Sequence, residues 1–285
     1  MPRTFITAEE KRLPGHKSMK DQLTLALCAN ASGDCKVKPL LVYHSENARA
    51  FKSQRILKEK LQVMWRANAK AWVTQHFFTE WVNMCFGLAG KKYGPAAKKY
   101  LAERNLPLKC LLVLDNGPGH PSGLEEDILD EFRFIKVLYL PPNTTPLLQP
   151  IDQQVISNFE KLYMKHLFKK CFDVTDNTNL TLREFWKEHF IVHCLKIIDD
   201  AWLDVTRCTL NSAWKKLWPA SVAERDFEGF DTTDPDDPEP VVMDEIVSLG
   251  KSMGLEELSS EEVVEDEGRL STAEIKDVSE VVGVF

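Results

Sequence analysis

Four apolar residues, Leu111-Leu112-Val113-Leu114, run without a break into Asp115-Asn116-Gly117-Pro118-Gly119-His120. A short continuous apolar run of this kind fits a strand buried on both faces, as a parallel sheet covered by helices requires. The turn-forming residues that follow end it abruptly. A strand is therefore expected over Cys110–Leu114, with Asp115 fixed at its C-terminal end. A second stretch, Leu140-Pro141-Pro142-Asn143-Thr144-Thr145-Pro146-Leu147-Leu148-Gln149-Pro150-Ile151-Asp152-Gln153-Gln154, is a proline-stiffened loop that delivers another aspartate, Asp152, to the start of a helix.

The surrounding pattern is consistent with a mixed α/β fold. Residues 22–30 and 37–44 read as a hairpin, with Gly33 supplying the positive φ that its turn needs. From Thr74, a candidate cap, Phe77, Phe78, Trp81, Val82 and Cys85 fall on one helical face. Shorter helices are expected over 95–104 and 125–131, and a strand over 133–140. Residues 153–171 predict a helix with Ile156, Phe159, Tyr163 and Leu167 inward and Lys161, Lys165, Lys169 and Lys170 toward the other side. Residues 185–205 predict a further helix rich in aromatics. No internal repeat is visible.

Charge divides the chain. Residues 226–285 hold 19 of the 43 acidic side chains and 3 of the 36 basic ones, a net of −16, which leaves a net of +9 in residues 1–225. A basic body with an acidic tail suits a nucleic-acid protein, though a basic surface also serves solubility. The expected division is a domain over 1–225, an acidic proline-containing linker over 226–240 and an acidic, weakly helical tail over 241–285. No run of eighteen apolar residues offers a membrane span, and residues 1–10 lack an apolar signal core. Seven scattered cysteines, with no CxxC, read as reduced thiols of an intracellular protein.

Two aspartates on such a scaffold suggest metal-assisted phosphodiester chemistry. Cleavage puts charge on the attacking and leaving oxygens, and two cations roughly 3.5–4 Å apart stabilise both. Mg²⁺ prefers carboxylate, water and phosphate oxygens. Each aspartate also has an ordinary reading. Asp115 begins a turn, and Asp152 stands where a helix N-cap would be worth about 1 kcal/mol.

The wording around both residues is more specific than either alone. LLVLDNGPGHP and LPPNTTPLLQPIDQ resemble the core of the DDE transposase domain of the Tigger/pogo/jerky group, which includes centromere protein B. The likeness runs from about Arg3 to Phe230, taking in RTFIT at 3–7, the hairpin with its His44-Ser45-Glu46-Asn47 exit, and Trp214-Lys-Lys-Leu-Trp-Pro219. It implies a ribonuclease-H-like mixed sheet with flanking helices, a nuclear DNA-binding protein, and Mg²⁺ or Mn²⁺ held by Asp115 and Asp152 as the second and third carboxylates. The first carboxylate lies, in the family, within an Asn-Ala-Asp-Glu-Thr-like strand upstream of RTFIT, and this sequence contains no such motif. The resemblance then implies a sheet lacking its usual first strand, between the hairpin and Cys110–Leu114, with Thr4–Thr7 a partial substitute. It also implies catalysis that is lost or nearly lost.

Rival readings remain at this stage. Asp21 or Asp34 could replace the missing acid, which would leave an active metal-dependent endonuclease, but both read as loop residues. The acidic tail could make the chain a scaffold for basic nuclear proteins. Lys161, Lys165, Lys169 and Lys170 are candidate phosphate contacts, with a plain amphipathic surface as the alternative. His189 and His193 have zinc-compatible spacing but fit a packed helix. His120 could touch the metal site or order its loop. Lys91-Lys92 and Lys98-Lys99 resemble a weak bipartite basic patch. Trp202, Trp214 and Trp218 read as core, with base stacking as the minor alternative.

Overall fold

A computed structural model of the chain describes residues 23–87, 96–177, 185, 191–222, 238–252, 275–280 and 282–284. The hairpin forms as the sequence predicts. Strand β1, Leu23–Leu27, pairs antiparallel with β2, Leu40–Tyr43. Gly33 turns the chain at φ +69, and a Cβ there would lie 2.4 Å from the Arg207 carbonyl oxygen, so glycine is required twice over. Strand β3, Met64–Ala67, adds parallel to β2 after the short helix α1, Arg49–Ser53. This strand has no counterpart in the sequence reading, because its four residues show no alternation to reveal it.

Helix α2, Gln75–Trp81, starts where Thr74 accepts the Phe77 N–H at 3.3 Å, and it continues as a wider turn over Val82–Gly87. Helix α3, Ala96–Glu103, leads into β4, Cys110–Leu114. The short helix α4, Leu124–Asp127, precedes β5, Ile135–Tyr139, which pairs parallel with β4. After α5, Thr145–Leu148, comes the long helix α6, Ile156–Asn177. Helices α7, Ile191–Asp204, and α8, Arg207–Ser212, complete the body.

Strand alternation divides the apolar residues between two cores. Leu23, Leu25 and Leu27 join Tyr43, Trp65 and Val113 beneath α6 and α7. Ala26, Val42, Leu112 and Leu114 join Phe78, Trp81 and Phe132 on the opposite side. The sheet layer is thus covered on both faces, as the apolar run of β4 requires. Phe159, Tyr163 and Leu167 are buried on α6 as expected, with Ile156 packed at the margin. Lys36 fixes the end of α7. Its ammonium donates to the carbonyls of Trp202, Leu203 and Val205 at 2.6, 2.9 and 2.7 Å, groups that a helix C-terminus otherwise leaves unmet.

A helix forms within the expected weakly helical tail, while residues 226–237 of the expected linker lie outside the described residues. Residues 238–252 form helix α9, Pro238–Ser252, which buries Val242, Ile246 and Val247 in the same core as α6. Glu245 of α9 pairs with Lys165 of α6. Residues 275–280 and 282–284 are strands, not helix. Strand β6, Ile275–Glu280, runs parallel to β1, and β7, Val282–Val284, runs antiparallel to β4. The orders are β3-β2-β1-β6 and β5-β4-β7, so the C-terminal segment occupies the edges of β1 and β4 where the resemblance implied a gap. An exposed backbone edge overrides weak local propensity, because strand formation depends on context. Thr4–Thr7, proposed from the sequence for that place, lies outside the described residues.

Candidate active site

Asp115 follows β4, where the chain meets the end of β5. The Leu140 N–H donates to the Leu114 carbonyl at 2.7 Å, and the Asn116 side chain donates to the Leu140 carbonyl at 2.5 Å. These bonds bring the 141–149 loop beside the 116–120 turn. Gly117 donates its N–H to Asp115 Oδ1 at 2.9 Å, and His120 Nδ1 lies 2.7 Å from the same oxygen. A Cβ on residue 117 would sit 3.0 Å from Oδ1, so a side chain there would crowd the carboxylate. His120 is itself buried, with its ring 4.6 Å from that of Phe78. Its bond to Asp115 makes it an orienting group for that carboxylate.

The second carboxylate arrives by the proline loop. Asn143 takes a left-handed φ of 62, and the Thr144 hydroxyl caps the turn onto the Pro141 carbonyl at 2.6 Å. Thr145 then donates its hydroxyl to Asp115 Oδ2 at 3.3 Å, linking the loop directly to the first aspartate. Asp152 does not cap α6. Gln153 and Gln154 leave helical geometry, with ψ 73 and φ 71 respectively, and α6 begins only at Ile156. Asp152 occupies a separate turn, tied to the loop where the Gln153 side chain donates to the Pro146 carbonyl at 2.9 Å. The sequence reading began the helix at 153, because Ile156, Phe159, Tyr163 and Leu167 set its inward face and nothing in Gln153-Gln154 marks a break.

The two carboxylates have opposite electrostatics. Burial raises the Asp115 pKa, but the His120 ring, the Gly117 N–H and the Thr145 hydroxyl outweigh it and hold the group below the ordinary aspartate value. Asp152 is pushed up to about 6, first by burial and then by the negative charge of Asp115. Two half-buried carboxylates that repel one another are a donor set suited to a hard divalent cation, which would remove the repulsion. Asp115 Oδ2 is the better placed of its oxygens, since Oδ1 already accepts from Gly117 and faces His120. Among the described residues there is no group of three or more His, Cys, Asp or Glu side chains that could hold a metal ion.

Gln149 escaped the sequence reading. It is fully buried three residues before Asp152, and neither its amide oxygen nor its amide nitrogen has a hydrogen-bond partner. Asn116 and Thr145 were also missed as site residues. Their side-chain bonds span 24 and 30 residues, which no local pattern encodes.

The remaining candidates are dispersed. Lys161 is buried, Lys165 is paired with Glu245, and Lys170 is held below the ordinary lysine value by burial and then by Lys196. Of the four α6 lysines only Lys169 is exposed. Asp34 is no substitute carboxylate. It bonds Asn30 at 2.8 Å and Arg104 at 2.6 Å and locks the hairpin turn. Asp21, His189, Lys91 and Lys92 lie outside the described residues. His193 titrates below its ordinary value through burial and the neighbouring Lys170. Lys99 pairs with Glu103 at 3.6 Å within α3. Trp202 and Trp214 are buried in the core, whereas Trp218 is 47% exposed.

The model of the DDE superfamily endonuclease family matches residues 20–214, about two thirds of the chain. The mouse (Mus musculus) Jerky protein is 28% identical over 213 residues, covering 74% of this chain and 33% of that protein. Human (Homo sapiens) Tigger transposable element-derived protein 7 is 28% identical over 231 residues, 78% of this chain and 40% of its own. ARS-binding protein 1 of Schizosaccharomyces pombe is 25% identical over 165 residues, 56% of this chain and 28% of its own. The chain therefore spans well under half of each of these relatives. No solved structure matches. With the mixed α/β layer, the aspartate at the end of β4 and the loop-borne Asp152 inside the matched region, the chain belongs to the DDE superfamily endonucleases of the transposase-derived Tigger, jerky and centromere protein B group.

Proposed function

We propose that this chain is a transposase-derived, nuclear nucleic-acid-binding domain in which the Asp115–Asp152 pair binds at most one Mg²⁺ or Mn²⁺ weakly and does not sustain strand cleavage. The observation that carries this reading is the commitment of Asp115. One of its oxygens is satisfied by Gly117 and His120, which leaves two carboxylates and few free oxygens against the charge of two cations. Loss of a bridging carboxylate from a two-metal mechanism removes several kcal/mol of transition-state stabilisation, on the order of 10³-fold in rate. Nucleic-acid affinity is supported by the net of +9 in residues 1–225 and by the name of the relative ARS-binding protein 1. Supercoiled plasmid incubated with the chain and Mn²⁺ should stay unnicked while still binding. Nicking that disappears in Asp115→Ala refutes the inactive reading.

Residues 226–285, with their net of −16, keep basic nuclear proteins as a further candidate partner.

A further inference from the structure

The loop between β3 and α2 carries the most exposed aromatic residue among the described residues, and its construction is costly. Trp72 is 53% exposed, while the preceding Ala71 is 1% exposed and takes a left-handed φ of 53. A left-handed alanine and a solvent-facing tryptophan are both unfavourable by themselves. Several bonds enforce them. The buried Thr24 hydroxyl donates to the Ala71 carbonyl at 2.6 Å. Asn68 Oδ1 accepts the N–H groups of Lys70 and Trp72 at 3.1 and 3.2 Å, and Asn68 Nδ2 donates to the Trp72 carbonyl at 2.6 Å. The Asn68 N–H is anchored on the Tyr43 carbonyl of β2 at 3.0 Å. The loop is a rigid bracket that tucks in Ala71 and presents its two neighbours.

Those neighbours form a unit. The Lys70 ammonium lies 5.2 Å from the centre of the Trp72 ring. The next residue, Val73, abuts the turn that follows Asp115. A Cβ on Gly119 would be 3.2 Å from the Val73 carbonyl and 3.3 Å from its side chain, so glycine permits the approach. The bracket is therefore fastened to the segment that carries Asp115 and His120.

We infer that Trp72 and Lys70 form a stacking platform for an unpaired base of a nucleic-acid strand lying beside Asp115, with Lys70 meeting the adjoining phosphate. The chemistry matches: every base offers a π-face to an exposed indole carried on a fixed backbone, and the ammonium supplies the charge that the nucleic-acid backbone needs. A duplex hides those faces, so the preferred ligand is single-stranded. This inference rests on the nucleic-acid reading above.

The test is fluorescence anisotropy of a labelled single-stranded oligodeoxynucleotide with the full chain in EDTA, where cleavage cannot interfere. Trp72→Ala should weaken binding about 5- to 150-fold, and Trp72→Phe, which keeps a π-face, should bind within a few-fold of wild type. Lys70→Ala should reduce the slope of log affinity against log salt by about 0.7. Both tryptophan variants should keep the wild-type thermal midpoint, since the ring is solvent-facing. Wild-type affinity in Trp72→Ala, or equal losses in the alanine and phenylalanine variants, overturns the platform and leaves the nucleic-acid reading standing. A wild-type chain that binds no oligonucleotide, single- or double-stranded, overturns both.

Discussion

Asp115 and Asp152 are the same residue type set to opposite tasks by their surroundings. The three donors around Asp115 stabilise its ionised form, so the native state holds that proton more weakly than the unfolded chain. Its contribution to stability is present above the ordinary aspartate value and is lost as pH falls through the lowered folded value. Asp152, with a folded pKa of about 6, has the opposite sign. The native state holds its proton more tightly, so ionised Asp152 costs stability above pH 6, and that cost disappears on acidification below about 4. In EDTA at pH 7, Asp152→Asn should raise the unfolding free energy measured in urea by about 1 kcal/mol once its partial exposure is discounted, and should lose that advantage at pH 4. Asp115→Asn should lower the midpoint at pH 7. Equal responses of the two variants across this range would contradict the assignment. The sequence disclosed both aspartates because turn and loop wording is local. It did not disclose the difference between them, which comes from the His120, Gly117 and Thr145 donors gathered on Asp115 and from the burial of Asp152 beside that charge.

At the scale of elements, strands and helices with dense apolar patterning were legible: β1, β2, β4, β5, α2 and the inward face of α6 follow from apolar runs bounded by turn residues, helical spacing and one cap. What escaped is set by partners far away in sequence. Strand β6 is largely polar and β7 is only three residues long, so their local preference is weak, and they form against β1 and β4. Helix α9 looked poor in core material, yet Val242, Ile246 and Val247 are placed at i, i+4 and i+5 and all reach the α6 core. Ile246 is wholly buried, so Ile246→Ala should cost about 2–5 kcal/mol in urea denaturation. A cost below 0.5 kcal/mol would mean that α9 is not part of the folded body.

At the scale of the whole molecule, charge and structure do not divide at the same place. The acidic region contributes α9, β6 and β7 to the fold, so the basic and acidic parts cannot be treated as a domain and a free tail. Deleting residues 226–285 would remove core side chains together with charge. Neutralising the acidic residues of 256–267 removes charge while leaving α9, β6 and β7 in place in the sequence. If these acids compete with nucleic acid for the basic body, the neutralised chain should bind several-fold more tightly at low salt, with the advantage fading as ionic strength rises and screening shortens. An unchanged affinity at low salt would exclude the competition.

Pairing β1 with β6 joins residues about 250 positions apart, a separation that matters for the order of folding. Closing so long a loop is entropically late, and chains dominated by distant pairings fold slowly. The hairpin and the β4–β5 unit can form early from nearby sequence, but both must wait with bare backbone edges until the last strand docks. During that interval the molecule is most exposed to pairing with the wrong chain, and a passing peptide strand of suitable register competes directly with its own terminus.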